Sequence, residues 1–218
     1  MTSARGFIFD MDGTIVDNMS FHTDAWIEFL ARQGKRYDDP DVFFRETAGR
    51  QGREIIRERL GEHLSHEEVL ALTLQKDVLY REMYGPHREP IEGLQHLLER
   101  ARTQGVKLAV ATSAPPLNIT FTLDDLDLRR RFDAVVGAAD VPRGKPFPDV
   151  FLKAAAELGV PPADCIVFED APLGVEAARA AGMRAVVITT TLPAEAFQGY
   201  DNVIRIVEHY ADLDPATL

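Results

Sequence analysis

Two carboxylates follow a short apolar segment near the start of the chain, in the order Gly6-Phe7-Ile8-Phe9-Asp10-Met11-Asp12-Gly13-Thr14. Residues 7–9 predict a buried strand that ends at these acids. Residues two apart in a strand point to the same face, so the carboxylates of Asp10 and Asp12 would lie close together. If the strand instead ends between them, the Asp12 side chain points in another direction. Two close like charges favour a hard cation such as Mg²⁺, which binds one or two carboxylates together with phosphate oxygens and water. One acid could then act as a nucleophile and the other could move protons, whereas the alternative is a solvated Asp-Gly turn.

Three later groups of polar residues stand at the ends of other predicted strands. Thr112-Ser113 offers hydroxyl and backbone N–H groups that can hold phosphate oxygens, although such residues are also common helix caps. Lys145 lies between Gly144 and Pro146, where a fixed ammonium could neutralise a phosphoryl group or a nucleophilic carboxylate; the alternative is a lysine in a surface loop. Glu169-Asp170 could complete a metal site with Asp10, or could simply favour a helix N-terminus. Convergence of all four groups at one sheet edge weakens these alternatives, because ligands of open α/β sheets bind at the carboxyl ends of the strands.

Alternation of strands and helices from residue 94 onward predicts the element that brings these groups together. Such alternation is typical of a parallel sheet with helices on both faces, so the predicted fold class is α/β with a Rossmann-like core. The predicted strands after the first are residues 106–111, 132–137, 165–168, 185–188 and 203–207, and the predicted helices are residues 94–101, 118–128, 148–158 and 173–181.

The segment between the acid pair and this alternation carries helical rather than strand signals. Apolar residues from Phe21 to Leu30 recur at helical spacing, a second helix is expected around residues 55–60, and residues 38–41 are expected to form a polar connector. Ser65 with Glu68 predicts a helix start by a capping box. We therefore expect an inserted all-helical domain at residues 16–85 and a catalytic core at residues 1–15 and 86–218.

The composition limits the classes of partner. The chain has 218 residues, 45% hydrophobic content and a formal net charge of −11, which disfavours nucleic acid and anionic membranes as partners. The lone cysteine, Cys165, allows no internal disulfide and suits a reducing compartment. Without an apolar signal region at the start, we expect a cytoplasmic protein, and no feature requires more than a monomer.

The four motifs together resemble those of the haloacid dehalogenase-like hydrolases, and the resemblance extends over essentially the whole chain. Asp10-Met11-Asp12-Gly13-Thr14 is similar to the first motif of the family, Thr112 to the second, Lys145 to the third and Glu169-Asp170 to the fourth. The helical segment after the first motif resembles the cap domain of the branch that contains β-phosphoglucomutase and phosphoglycolate phosphatase.

This resemblance implies a mechanism and a cofactor. Asp10 would attack phosphorus to form an aspartyl phosphate, and Asp12 would protonate the leaving oxygen and then deprotonate water. Lys145 would hold Asp10 and the transferring group. Mg²⁺ would lie on Asp10, the backbone carbonyl of Asp12, and Asp170, with Glu169 in or near its ligand shell.

The same resemblance implies which residues bind the small phosphorylated metabolite. Thr112, Ser113 and Ala114 would hold the phosphoryl group. In the cap, His22 and Lys76 match positions where β-phosphoglucomutase-like proteins carry similar residues, and the loop with Arg50 and Arg53 resembles the substrate loop. Each of these cap residues could instead lie on a solvated helix face.

Two prolines distinguish the chain from the phosphosugar mutases of this branch. Mutases typically carry a basic residue and an asparagine after the second motif, which serve a second phosphate, whereas this chain has Pro115-Pro116. Proline-containing versions look more like sugar and polyol phosphatases, so a phosphatase is favoured and a mutase remains the alternative. A signalling receiver domain shares part of the acid, hydroxyl and lysine pattern, but the long insert after Asp12-Gly13 argues against it.

Overall fold

The computed structural model describes residues 4–37 and 39–218. Its sheet has six strands in the order β3-β2-β1-β4-β5-β6, and every neighbouring pair is parallel. The strands are β1 (Gly6–Phe9), β2 (Lys107–Ala111), β3 (Ala134–Val136), β4 (Cys165–Glu169), β5 (Arg184–Ile188) and β6 (Val203–Val207). The prediction of a Rossmann-like parallel sheet is therefore confirmed, and β1 lies centrally with β2 and β4 as its neighbours.

Helices cover both faces of the sheet because alternate residues of each strand point to opposite sides. Phe7 and Phe9 of β1 belong to one apolar core, and Ile8 between them belongs to the other. The core helices are α5 (Leu94–Thr103), α6 (Pro116–Ile119), α7 (Asp149–Leu158) and α8 (Pro172–Ala180). Their numbering starts at α5 because the helices of the segment described next come earlier in the chain. Helix α5 packs into the first apolar core, while α7 and α8 pack into the second.

The segment between β1 and α5 is helical, as predicted, but it holds one more helix than expected. Its helices are α1 (Met19–Arg32), α2 (Pro40–Thr47), α3 (Gly52–Leu60) and α4 (His66–Tyr84). Helix α2 occupies part of the expected connector at residues 38–41, so that expectation was wrong for residues 40 and 41; position 38 lies outside the described residues. Asp39 caps α2 by accepting the Asp41 and Val42 N–H groups, and a proline suits the first helical position. The capping box at the start of α4 is confirmed.

The helix expected at residues 118–128 is much shorter in the structure. Helix α6 ends at Ile119, and residues 120–124 form a wider π-helical turn. Asp127 then adopts a left-handed backbone conformation, with φ of 54°, that ends the segment. Asn118 accordingly lies in the short helix α6, next to the second motif, rather than at the start of a longer helix.

The helical segment leaves and re-enters the core at neighbouring points. The Ile91 N–H donates to the Ile15 carbonyl at 2.9 Å, and Val16 forms an antiparallel bridge with Pro90. None of the described helices combines the length and the apolar composition needed to span a membrane.

Candidate active site

Asp10 follows directly after β1 at the carboxyl edge of the sheet. Its backbone N–H donates to the Phe168 carbonyl of β4 at 3.0 Å, so pairing of β1 with β4 places Asp10 beside Glu169 and Asp170. Only 7% of Asp10 is exposed. The strand end predicted from the sequence is therefore the point where three acids meet.

Lys145 is buried between two of these acids. Its Nζ donates to Asp10 Oδ1 and to Glu169 Oε1, each at 2.5 Å. Burial opposes the charge on Lys145, but the charges of Asp10 and Glu169 raise the pKa of the ammonium above its ordinary value. Burial also raises the pKa of Asp10 to about 7, against the lowering effect of Lys145. The site thus contains more negative charge than a single lysine neutralises.

Asp10, Glu169 and Asp170 each place one carboxylate oxygen within 4.8 Å of an oxygen of the other two, and we call these three residues the acidic group. Burial, together with the charges of Glu169 and Asp10, raises the pKa of Asp170 well above its ordinary value. Three close, buried carboxylate oxygens are a donor set for a hard divalent cation. The residues present therefore fit a magnesium ion.

Backbone and hydroxyl groups fix the orientation of this acidic group. Glu169 Oε2 accepts the N–H groups of Asp170 and Ala171, both at 2.8 Å. Asp170 accepts hydrogen bonds from the hydroxyls of Thr14, at 3.1 Å, and Thr191. Neither Thr14 nor Thr191 was singled out as a ligand-orienting residue from the sequence, because their approach to Asp170 depends on the folded loops.

Gly13 makes room for this arrangement. Its φ of +82° is in the left-handed region, and a Cβ at this position would lie 2.1 Å from Asp170 Oδ2. The Asp-Gly sequence is therefore required both by the turn and by the close approach of the acidic group.

The Asp12 carboxylate is directed toward the helical segment rather than toward Lys145. Asn18 Nδ2 donates to Asp12 Oδ1 at 2.6 Å, and His22 Nε2 lies 3.6 Å from the same oxygen. Burial would raise the pKa of Asp12, but its contacts with His22 and Asn18 outweigh burial and lower the pKa. The strand thus ends before Asp12 and re-aims it, which is one of the two arrangements considered from the sequence.

Asn18 was missed by sequence reasoning. It lies just before α1, accepts the Gly13 N–H at 3.0 Å, and contacts the Tyr80 hydroxyl of α4 at 2.6 Å in addition to Asp12. An asparagine six residues after a motif acid carries no recognisable signal, since its role depends on where the chain turns into α1.

The second motif follows β2, which lies on the other side of β1 from β4 with its two acids. Thr112 is buried, its N–H donates to the Val136 carbonyl at 3.0 Å, and its hydroxyl accepts the Ala114 N–H at 3.0 Å. The Ser113 hydroxyl donates to the Gly49 carbonyl of the helical segment at 3.1 Å. Thr112, Ser113 and Ala114 all line the same cavity as the acids.

Two of the four polar residues predicted in the helical segment form a pair above Asp12. Lys76 Nζ lies 2.7 Å from His22 Nδ1, and the His22 ring stacks on Tyr80 with centroids 3.7 Å apart. Because an ammonium can only donate, His22 Nδ1 is the acceptor and the ring proton is on Nε2, facing Asp12. Burial and the charge of Lys76 lower the pKa of His22, and burial lowers the pKa of Lys76.

The two predicted arginines are placed differently. Arg50 lines the cavity, but its guanidinium forms an ion pair with Glu58 at 2.6 Å. Arg53 donates to the Pro142 carbonyl of the core at 3.4 Å, a bond that joins the helical segment to the core. The structure therefore brings His22, Lys76 and Arg50 to the cavity and places Arg53 at a contact between the two parts of the chain.

Comparison with known proteins agrees with this geometry. The family model for haloacid dehalogenase-like hydrolases matches residues 4–182. The fructose-1-phosphate phosphatase of Escherichia coli (strain K12) is 38% identical over 83% of this chain and 94% of its own length. The validoxylamine A 7'-phosphate phosphatase of Streptomyces hygroscopicus subsp. limoneus is 32% identical over 91% of this chain and 92% of its own length.

A solved structure shows the same fold. The β-phosphoglucomutase of Clostridium difficile superposes with a TM-score of 0.84 at 25% identity, covering 97% of this chain and 93% of that protein. Taken with the family match and the two relatives, this likeness confirms what the four motifs predict: the chain is an enzyme of the haloacid dehalogenase-like hydrolase family.

Proposed function

We propose that the protein is a Mg²⁺-dependent phosphatase that hydrolyses a small sugar or polyol phosphate through an aspartyl phosphate on Asp10. The observation that carries the proposal is the position of Asp10, buried at the edge of the sheet, 2.5 Å from the ammonium of Lys145 and within the group of three carboxylates. The two curated relatives described above are both named as phosphatases, which favours hydrolysis.

The chain's own residues supply the steps. Asp10 attacks phosphorus, and Lys145 holds Asp10 and offsets negative charge on the transferring group. Thr112, Ser113 and Ala114 bind the phosphoryl group. As the bond between phosphorus and the leaving oxygen breaks, Asp12, fixed by Asn18, gives a proton to that oxygen. Water then attacks the phosphorus of the aspartyl phosphate and gives a proton back to Asp12, and Asp10 and inorganic phosphate are released.

Asp10, Asp170 and the Asp12 carbonyl would hold Mg²⁺, with Glu169 in or near its shell. When bound, the ion supplies positive charge that stabilises the phosphoryl group in the transition state. We further propose that residues 16–85 form the cap domain, that residues 1–15 and 86–218 form the core, and that His22, Arg50, Arg53 and Lys76 contribute to substrate binding from the cap.

Asp10→Asn tests the nucleophile. An amide cannot form the acyl phosphate, so we expect turnover of phenyl phosphate and of a panel of sugar and polyol monophosphates to fall by more than about 10³-fold. The thermal midpoint should be retained, and Asp24→Asn on the exposed face of α1 is the matched control. Substantial residual hydrolysis by Asp10→Asn would exclude Asp10 as the nucleophile. Undiminished hydrolysis by the unsubstituted protein in excess chelator would exclude the requirement for Mg²⁺.

A phosphosugar mutase is the second candidate, favoured by the structural likeness to β-phosphoglucomutase and by the His22–Lys76 pair. Pro115 and Pro116 oppose it because they carry neither of the side chains expected to hold a second phosphate. Supplying β-glucose 1-phosphate with a trace of the 1,6-bisphosphate separates the two. Free phosphate without glucose 6-phosphate supports the phosphatase, and rapid glucose 6-phosphate with little free phosphate supports the mutase.

A further inference from the structure

Asn118 is a buried amide that lines the catalytic cavity, although it belongs to none of the four motifs. Only 1% of the residue is exposed. Its neighbour Leu117 is 56% exposed, so the short helix α6 presents position 118 to the cavity and position 117 to solvent. Pro115 and Pro116 start α6 and so set this orientation.

An arginine from α4 determines which end of the Asn118 amide faces the cavity. Arg81 Nη1 lies 2.6 Å from Asn118 Oδ1. A guanidinium has donors and no acceptor, so the atom that it contacts must be the carbonyl oxygen of the amide. Among the described residues, the side chain of Asn118 forms a hydrogen bond through Oδ1 and none through Nδ2, which leaves that N–H₂ group available as a donor to a bound molecule.

The chemistry of this donor matches a neutral oxygen better than a second phosphate. The positive charge of Arg81 is directed at Asn118 Oδ1, and Arg50 is paired with Glu58. Prolines occupy the two positions where a mutase would carry a basic residue and an amide. An uncharged N–H donor is suited to a hydroxyl or carbonyl oxygen, and an interaction of this kind contributes about 0.5–1.5 kcal/mol.

We propose that Asn118 is a specificity-determining residue whose Nδ2 donates to a neutral oxygen on the leaving part of the substrate, and that Arg81 is its positioning residue. This inference rests on the proposed phosphatase function and adds to it a requirement for a hydroxylated, uncharged leaving group. Arg81 acts by holding the amide in one of its two orientations, since a freely flipping asparagine would offer an oxygen to the cavity half of the time.

The test compares two leaving groups in the purified full-length protein. Phenyl phosphate has no hydroxyl on its leaving group, whereas the fastest sugar or polyol monophosphate of the panel above has several. Asn118→Asp keeps the size of the side chain and its contact with Arg81 but replaces the donor by an acceptor. We expect the ratio of kcat/KM for the sugar or polyol ester to kcat/KM for phenyl phosphate to fall about tenfold. Leu117→Ala, on the solvent side of the same helix, should leave the ratio unchanged.

Arg81→Met tests the positioning role. It should lower the same ratio by about threefold on its own and should have no further effect in an Asn118→Ala background, because the two residues act through one amide. A purely structural role would instead lower kcat/KM for both esters together and leave the ratio intact. Asn118→Ala, which also removes the donor, is the substitute if Asn118→Asp does not fold, as judged by its thermal midpoint.

The outcomes separate the two proposals. An unchanged ratio in Asn118→Asp, with hydrolysis of phenyl phosphate retained, overturns the role of Asn118 and leaves the phosphatase function standing. Absence of hydrolysis of every ester by the unsubstituted protein overturns the phosphatase function itself. Additive effects of Arg81→Met and Asn118→Ala would overturn the positioning role of Arg81.

Discussion

Lys145 is the residue on which the charge balance of the acidic group depends, with 2.5 Å contacts to both Asp10 and Glu169. Lys145→Met would leave two buried carboxylates without their cation. We expect the free energy of unfolding, measured with urea in the absence of divalent metal, to fall by about 3–5 kcal/mol, because an uncompensated buried charge is strongly destabilising. Lys153→Met is the control, because it removes only an exposed i,i+4 ion pair with Glu157. It should change the free energy of unfolding by less than about 0.5 kcal/mol. Equal effects of the two substitutions would contradict this account.

Ionisation of the acidic group should make metal binding depend on pH. Burial raises the pKa of Asp10 from 3.8 to about 7, so between these values the native protein holds a proton that the unfolded chain has lost. Without metal, Asp10 therefore makes the free energy of unfolding fall as the pH rises toward 7, by up to about 1.4 kcal/mol per pH unit. Mg²⁺ must displace such protons, so the increase in thermal midpoint with excess Mg²⁺ should be larger at about pH 7.5 than at about pH 5.5. A larger increase at the lower pH would exclude this metal site.

The residues that were predicted from the sequence differ in kind from those that were missed. Asp10, Thr112, Lys145, Glu169 and Asp170 each stand at or just after the end of a strand or in a motif loop, so their convergence follows from a parallel sheet. Asn118 lines the cavity, and Asn18, Tyr80 and Arg81 contact residues that line it, only because particular helix faces meet. No local pattern in the sequence records which faces meet. Arg53 belongs to neither set: its motif position predicts a substrate contact, which stays a proposal, and in this structure its guanidinium donates to a core carbonyl.

Helix α8 packs against the acidic group so closely that its third residue must be glycine. A Cβ on Gly174 would lie 1.7 Å from Glu169 Oε1, while Glu169 is held by Lys145 and by two backbone N–H groups. Gly174→Ala should therefore displace the Glu169 carboxylate and weaken the stabilisation by Mg²⁺, despite the higher helix propensity of alanine. Gly85→Ala is the control, because a Cβ there meets no atom within 4 Å and its backbone is helical. The measurement is the increase in thermal midpoint that Mg²⁺ causes in each variant. Identical increases in Gly174→Ala and Gly85→Ala would refute the prediction.

At the scale of elements, the sequence predicted all six strands and most helices because apolar runs bounded by glycine or proline are strong local signals. It failed at α2, where Asp39-Pro40 was interpreted as part of a connector although aspartate and proline also begin helices. It failed again after Asn118, where a helix was predicted at residues 118–128 and the structure has a short helix followed by a π turn. In both places one sequence pattern is compatible with two backbone paths, and tertiary packing selects between them.

In the molecule as a whole, both apolar packing and polar contacts hold the helical segment against the core, and the polar contacts involve loops near the cavity. Ser113 bonds the Gly49 carbonyl, Arg53 bonds the Pro142 carbonyl, and Arg81 bonds Asn118. If residues 16–85 are a cap that closes over substrate, Mg²⁺ with orthovanadate, a mimic of the transferring phosphoryl group, should slow amide hydrogen exchange in residues 48–53. The exposed N-terminal turn of α4 should serve as the unaffected reference. Unchanged exchange in residues 48–53 on binding would contradict cap closure there.

The contact between Ile15 and Ile91 has a consequence for how such enzymes diversify. Since the chain leaves and re-enters the core at adjacent points, the intervening residues can be lengthened, shortened or exchanged without rerouting any strand. The carboxylates and Lys145 are all contributed by residues outside this insertion. Recombination at these two points would therefore keep the nucleophile, Lys145 and the acids of the metal site while replacing the surface that selects the leaving group. We expect lineages with this architecture to acquire new substrates mainly by inheriting new insertions.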